Sequence, residues 1–205
     1  MKTSWPVIDQ DRRLAAIALG AMIYAILYWG AAALAWRSPV TLVPSALDAG
    51  IPLRPLAIWI YLSEFVMVIF AIWIADPIGR TRAFVAIALA TTVACVVFVV
   101  FPTAVPRVSS DISGITELAW RLLYAADTPS NALPSLHAAI AVAAAATLWR
   151  LGGIWRVAGP AWGIAVLVGA LATKQHFVAD LLAGLILGAL AQGFSVRWLA
   201  GAGPE

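Results

Sequence analysis

Apolar residues along the chain gather into long runs separated by short polar breaks. Six runs approach the roughly 20 residues that an α-helix needs to cross a bilayer. They cover 14–36, 55–75, 83–101, 136–149, 158–173 and 177–198. The fourth and fifth fall short of that length, and each is expected to extend by a turn into its flanks. The first run exceeds the h-region of a secretory signal and carries Tyr24, Tyr28 and Trp29. It therefore reads as a retained span, although Ala33-Leu34-Ala35 looks like a cleavage site. Of the connecting segments, 37–54 holds Pro39, Pro44, Gly50 and Pro52 and reads as an irregular loop. Segment 102–133 contains one helical stretch, with Ile115, Leu118, Ala119, Leu122 and Leu123 on one face and Glu117, Trp120 and Arg121 on the other. Such a helix suits the membrane surface. The pattern predicts an all-α fold: an integral membrane six-helix bundle, a single domain over 1–205, with one amphipathic interfacial helix in the outer loop.

Composition agrees with this pattern. The chain is 63% hydrophobic and 11% charged, against roughly 45–50% and 25% in an average soluble domain, and its mean hydropathy is +0.94. No polar stretch is long enough to build a second, soluble core. With the N-terminus inside, the cytoplasmic side holds Lys2, Arg12, Arg13, Arg80, Arg82, Arg150, Arg156 and Arg197. The other side holds Arg37, Arg54, Arg107, Arg121 and Lys174, a division of 8 to 5 among the 13 basic residues. The excess marks the cytoplasmic side and places both termini there. It also accounts for the net charge of +3, so no nucleic-acid partner is expected. Cys95 is the single cysteine; it excludes an intramolecular disulfide and reads as a buried apolar thiol.

Only two histidines are present, His137 and His176, and the charge-derived topology puts both at span starts on the outer face. Asp180 follows His176 by four residues, one helical turn away on the same face. A carboxylate there can accept the imidazole N–H, fix the tautomer and free the other nitrogen to attack. Pro134 suits the first turn of the fourth helix, whose free N–H groups, with the Ser135 hydroxyl, form an anion site. The sixth helix can point its own N-terminus at the same place. Arg107 and Lys174, with Arg54 behind them, are the cations expected to neutralise a phosphate. Asn131 is a further phosphate-binding candidate, or else turns the chain with Asp127 before Pro134. The arrangement suits phosphoryl transfer, in which one histidine attacks phosphorus and the other protonates the leaving oxygen. Glu64, in the middle of the second span, either pairs with another helix or carries a proton. A proton-coupled carrier would need a polar path that the spans, Glu64 apart, do not offer. A hydrolase using His137, His176 and Asp180 as metal ligands would lose its activity in EDTA.

Pro134-Ser135-Leu136-His137, followed by His176-Phe177-Val178-Ala179-Asp180, resembles the second and third signature motifs of the type 2 phosphatidic acid phosphatase superfamily. Asp127-Thr128-Pro129-Ser130-Asn131, Thr173-Lys174-Gln175 and Phe101-Pro102-Thr103-Ala104-Val105-Pro106-Arg107 look closest to its inositol phosphorylceramide synthase-like branch and bacterial relatives. The resemblance implies that His176 is the nucleophile and forms a phosphohistidine. Asp180 would orient it, His137 would be the general acid and Ser135 would hold the phosphate, with no metal and no cofactor. It also implies a membrane lipid phosphate or diphosphate as substrate and a bacterial inner membrane as location. The chain departs from the pattern at Leu136, where a Gly is usual, at Ala170, where an Arg is usual, and at Leu47, where a Lys usually precedes an Arg-Pro such as Arg54-Pro55. Hydrolysis is the expected reaction, because water needs only a small gap beside the phosphohistidine. Transfer of the phosphate group to an alcohol acceptor is the second reading.

Overall fold

The computed structural model describes residues 7–108 and 112–200; Lys2 and the two chain ends lie outside them. Eight α-helices follow one another: α1 Arg13–Leu34, α2 Ala46–Gly50, α3 Ile58–Ile74, α4 Pro77–Val100, α5 Gly114–Ala126, α6 Leu136–Arg150, α7 Trp155–Ala172 and α8 Val178–Ala200. Five helical stretches, Gln10–Leu34, Pro55–Ile74, Pro77–Val100, Trp155–Ala172 and Val178–Ala200, are long and apolar enough to cross a membrane. The expected fourth span is α6, an apolar helix of 15 residues, shorter than the other five.

Helix ends fall where local chemistry puts them. Asp76 caps α4 by accepting the Gly79 N–H at 3.2 Å, with Pro77 at the first helical position. Buried Arg80 satisfies α3 from the next helix, donating to the carbonyls of Ile72 (2.9 Å) and Ala75 (2.7 Å). Without that guanidinium, the last carbonyls of α3 would lack partners. Arg13 lies 3.7 Å above the Trp73 ring at this end of the bundle, and Arg37 lies 5.2 Å from the Trp36 ring at the other. Cys95 is buried, as expected.

The centre is built from small residues. Ala86 and Ala90 of α4 meet Ala139 and Ala143 of α6 and Ala191 of α8. In a bilayer there is little hydrophobic drive between helices, so close backbone approach supplies the packing. Gly184 is the tightest point: a β-carbon there would collide with the Ser135 carbonyl and sit 2.8 Å from the Ala138 methyl. Gly169 of α7 likewise lies against the backbone of Tyr61, where a β-carbon would be 3.0 Å from its nitrogen.

The outer segments are more ordered than the prolines imply. Loop 37–54 contains α2 and a two-residue strand, β1 (Val40–Thr41), which pairs in parallel with β2 (Thr103–Ala104). Thr103 also bridges to Asn131, so three separate loops are tied side by side over one end of the bundle. Helix α5 forms where the periodicity puts it, but its faces differ from the expectation. Trp120 is buried, packed with Ile58 and donating its indole N–H to the Pro55 carbonyl at 3.1 Å. A Trp wheel position counts as polar only while its N–H lacks a partner. Ile115, Leu118 and Leu122 remain exposed.

The Gly184 contact makes a direct prediction. Gly184→Val should cost about 1–3 kcal/mol, the usual toll of overpacking, read as a lower melting temperature of the purified protein. Gly193→Ala, where a β-carbon meets nothing within 4 Å, should leave the melting temperature unchanged.

Candidate active site

Helices α6 and α8 begin at the same end of the bundle, and each brings a histidine with it. His137 is the second residue of α6, and His176 lies in the turn between α7 and α8. Their ring centroids are 5.5 Å apart. The turn is held by its own chain: the His176 N–H and the Gln175 N–H both reach the Ala170 carbonyl (3.4 and 3.1 Å).

His176 Nδ1 is 3.1 Å from Asp180 Oδ2, and Asp180 is fully buried. A carboxylate that accepts from Nδ1 leaves Nε2 as the nitrogen with the lone pair. Asp180 also ties the two helices together, because its carbonyl accepts the Ser135 N–H at 3.0 Å. His137 is gripped from α3. Its Nδ1 is 3.2 Å from the Tyr61 hydroxyl and its Nε2 is 3.5 Å from Glu64 Oε2. The Tyr61 and His137 rings are stacked with centroids 4.3 Å apart. Glu64 is 2% exposed, and its Oε1 has no hydrogen-bond partner.

Two cavities meet at His137. A polar one of about 40 Å³ is lined by both histidines with Tyr28, Tyr61, Arg107 and Asp127, among others. An apolar one of about 210 Å³ runs between α1, α3 and α4, with Glu64 and His137 at its head.

Three of the phosphate-binding candidates line the polar cavity: Arg107, Lys174 and Asn131. Arg107 donates to the Asp127 carbonyl at 2.9 Å and lies 4.7 Å from the Tyr124 ring. Lys174 donates to the Asp48 carbonyl at 2.5 Å. The Asn131 amide is shared between Ser130 and the Tyr28 carbonyl. Ser135 is fully buried, and its hydroxyl caps α6 by accepting the Ala138 N–H at 3.2 Å. Arg54 is exposed, and its backbone N–H is bonded to the Ala172 carbonyl at 2.8 Å; neither it nor Ser135 lines the polar cavity. Among the described residues, no group of three or more His, Cys, Asp and Glu is arranged to hold a metal ion.

A sequence model of the PAP2 superfamily matches residues 33–194. The chain belongs to the PAP2 superfamily. It matches no curated protein and no solved structure. Membership in the PAP2 superfamily supports a phosphatase-type enzyme.

Several groups around this candidate centre lie outside the two histidine motifs. Tyr61 and Glu64 sit three residues apart on α3, a polar pair on one face of an otherwise apolar helix, and that spacing is the signal that finds them. Tyr28 donates its hydroxyl to Asp127 in a short hydrogen bond; nothing local links residues 99 positions apart. Asp48 accepts the Val178 N–H at 2.8 Å. The sixth helix was expected to offer its N-terminus to a phosphate, but the first of its N–H groups is taken by this carboxylate. Ser45-Ala46-Leu47-Asp48 carries the capping-box signature that marks Asp48 from the sequence.

Burial alone would push the Asp48 carboxyl up. The Ser45 hydroxyl, the Val178 and Ser45 N–H groups and the Lys174 ammonium outweigh that, and its pKa is held below the ordinary carboxylate value. A depressed carboxyl stabilises the fold above its unfolded pKa, near 3.9, and loses that contribution as pH falls through the lower folded value. The melting temperature of the natural protein should therefore exceed that of Asp48→Asn at neutral pH. The gap should close on acidification below about pH 4, as followed by circular dichroism.

Proposed function

We propose that the protein is an integral-membrane lipid phosphatase that removes phosphate from a lipid phosphate or diphosphate through a phosphohistidine. The observation that carries this reading is the pair of differently partnered histidines facing one polar cavity. His176, oriented by Asp180, attacks phosphorus with Nε2. The bond from phosphorus to the leaving oxygen breaks, and the electron pair stays with that oxygen, which takes a proton from His137. Water then attacks the phosphohistidine, gives its proton back to His137, and phosphate leaves as the P–N bond breaks. Arg107 and Lys174 spread charge from the equatorial oxygens. Glu64 faces His137 Nε2 from α3 at 3.5 Å, and Tyr61 holds the ring on the side of the polar cavity. That gives the buried carboxylate of the second span a partner and weakens any reading as a carrier.

In this reading the centre lies on the extracytoplasmic face of a bilayer, with six spans and both termini inside, which the charge distribution along the sequence supports. The exposed Ile115, Leu118 and Leu122 of α5 suit the membrane surface beside it. The second reading, transfer of the phosphate group to an alcohol, is favoured by Asp127. This carboxylate lines the polar cavity, where it repels a phosphate dianion but can accept a hydrogen bond from a hydroxyl.

Purified protein incubated with labelled lipid phosphates should release free phosphate, and His176→Ala should abolish it; unchanged turnover in that variant sinks the mechanism. A phosphorylated alcohol as the main product selects the transferase reading. His137→Ala should be slowed about 10²–10⁴-fold on substrates with poor leaving groups and much less on aryl phosphates. Equal slowing on both classes removes His137 as the acid.

A further inference from the structure

The first turn of α8 carries half of the nucleophilic pair, and helix N-termini need partners for their free N–H groups. The cap usually comes from the residue just before the helix. Here it comes from 130 residues upstream, as Asp48 Oδ1 accepts the Val178 N–H at 2.8 Å. The other carboxylate oxygen accepts the Ser45 N–H (2.8 Å) and hydroxyl (2.6 Å), so the group cannot swing away without breaking the cap of α2 as well. The carbonyl of Asp48 accepts Lys174 Nζ at 2.5 Å. From the same loop, the Arg54 N–H reaches the Ala172 carbonyl at 2.8 Å. Loop 37–54 thus grips the turn containing His176 at both ends. Within that turn Lys174 has φ 56°, a left-handed conformation that a residue with a side chain keeps only where its surroundings fix it.

We infer that Asp48 is a positioning residue for the His176–Asp180 pair, a helix cap delivered by a distant loop that sets the direction of His176 Nε2. Asp48 is 3% exposed and belongs to neither cavity lining, so it acts on the reaction only through α8. The charged group facing it is the Lys174 ammonium, and their contact also keeps that cation on the cavity wall. The catalytic consequence rests on the phosphohistidine reading above, whereas the effect on His176 itself does not.

The test uses the full-length protein in detergent with ¹⁵N-labelled histidine. Two histidines give two imidazole signals, assigned with His137→Gln. In the natural protein His176 should show one fixed tautomer, protonated at Nδ1. In Asp48→Asn and Asp48→Ala its signals should move toward a mixture of tautomers, while those of His137 stay in place. For turnover of a lipid phosphate, kcat should fall about 10–100-fold, the loss typical when the group that orients a metal-bound histidine is removed, with KM changed far less. Asp48→Glu, which keeps the charge, should restore part of the loss. His176 signals unchanged in both variants overturn the inference, as does a loss that strikes both histidines equally in Asp48→Asn. If no phosphate ester is turned over by the natural protein, the functional reading falls, and the tautomer signals still decide the role of Asp48.

Discussion

The contact on which the site depends is the approach of α8 to α6 at Gly184. Only a residue without a β-carbon lets the backbone of Ser135 come this near. That nearness brings the Ser135 N–H to the Asp180 carbonyl. It also sets two helix starts side by side, and the two imidazoles follow from their positions in those starts. The alanines running down α4, α6 and α8 continue the same geometry through the bundle. Packing by small residues is therefore what fixes the distance between the two imidazoles.

The two histidines are held in opposite ways. His176, in the turn before α8, has a carboxylate from the first turn of that helix, fully enclosed. His137 leans on a neighbouring helix, between a phenol and a carboxylate. A nucleophile needs one nitrogen fixed as a donor and the other left bare, and a single buried acceptor achieves that. The proposed acid has a hydroxyl beside it that is able to donate or accept. The asymmetry of the surroundings supports the asymmetry of the proposed roles.

What was legible beforehand follows the range of each interaction. The pairing of His176 with Asp180 needs only their spacing of four, although His176 sits in the turn before α8 and not in the helix. The helices other than α2 follow from runs and repeats of apolar residues. The buried state of Cys95 follows from its neighbours. The Tyr61–His137 contact joins residues 76 apart, and the Asp48–Val178 bond joins residues 130 apart. No local pattern encodes which helices become neighbours, so Glu64 was conspicuous without its partner being readable. The prolines of loop 37–54 correctly signalled breaks in helix. They concealed the strand pairing, because two residues of β-structure leave no alternation to detect. Trp120 went to the wrong face for a related reason: its burial depends on the Pro55 carbonyl, which belongs to another segment.

The reach of the Asp48 bond bears on the order in which the molecule is assembled. A chain made from its N-terminus exposes loop 37–54 long before α8 exists. Until α7 and α8 and the turn between them arrive, that carboxylate has neither the Val178 N–H nor the Lys174 ammonium. The outer cap therefore closes last, and a truncated or half-inserted chain has no finished centre. Arrival of α8 and completion of the cap become the same event.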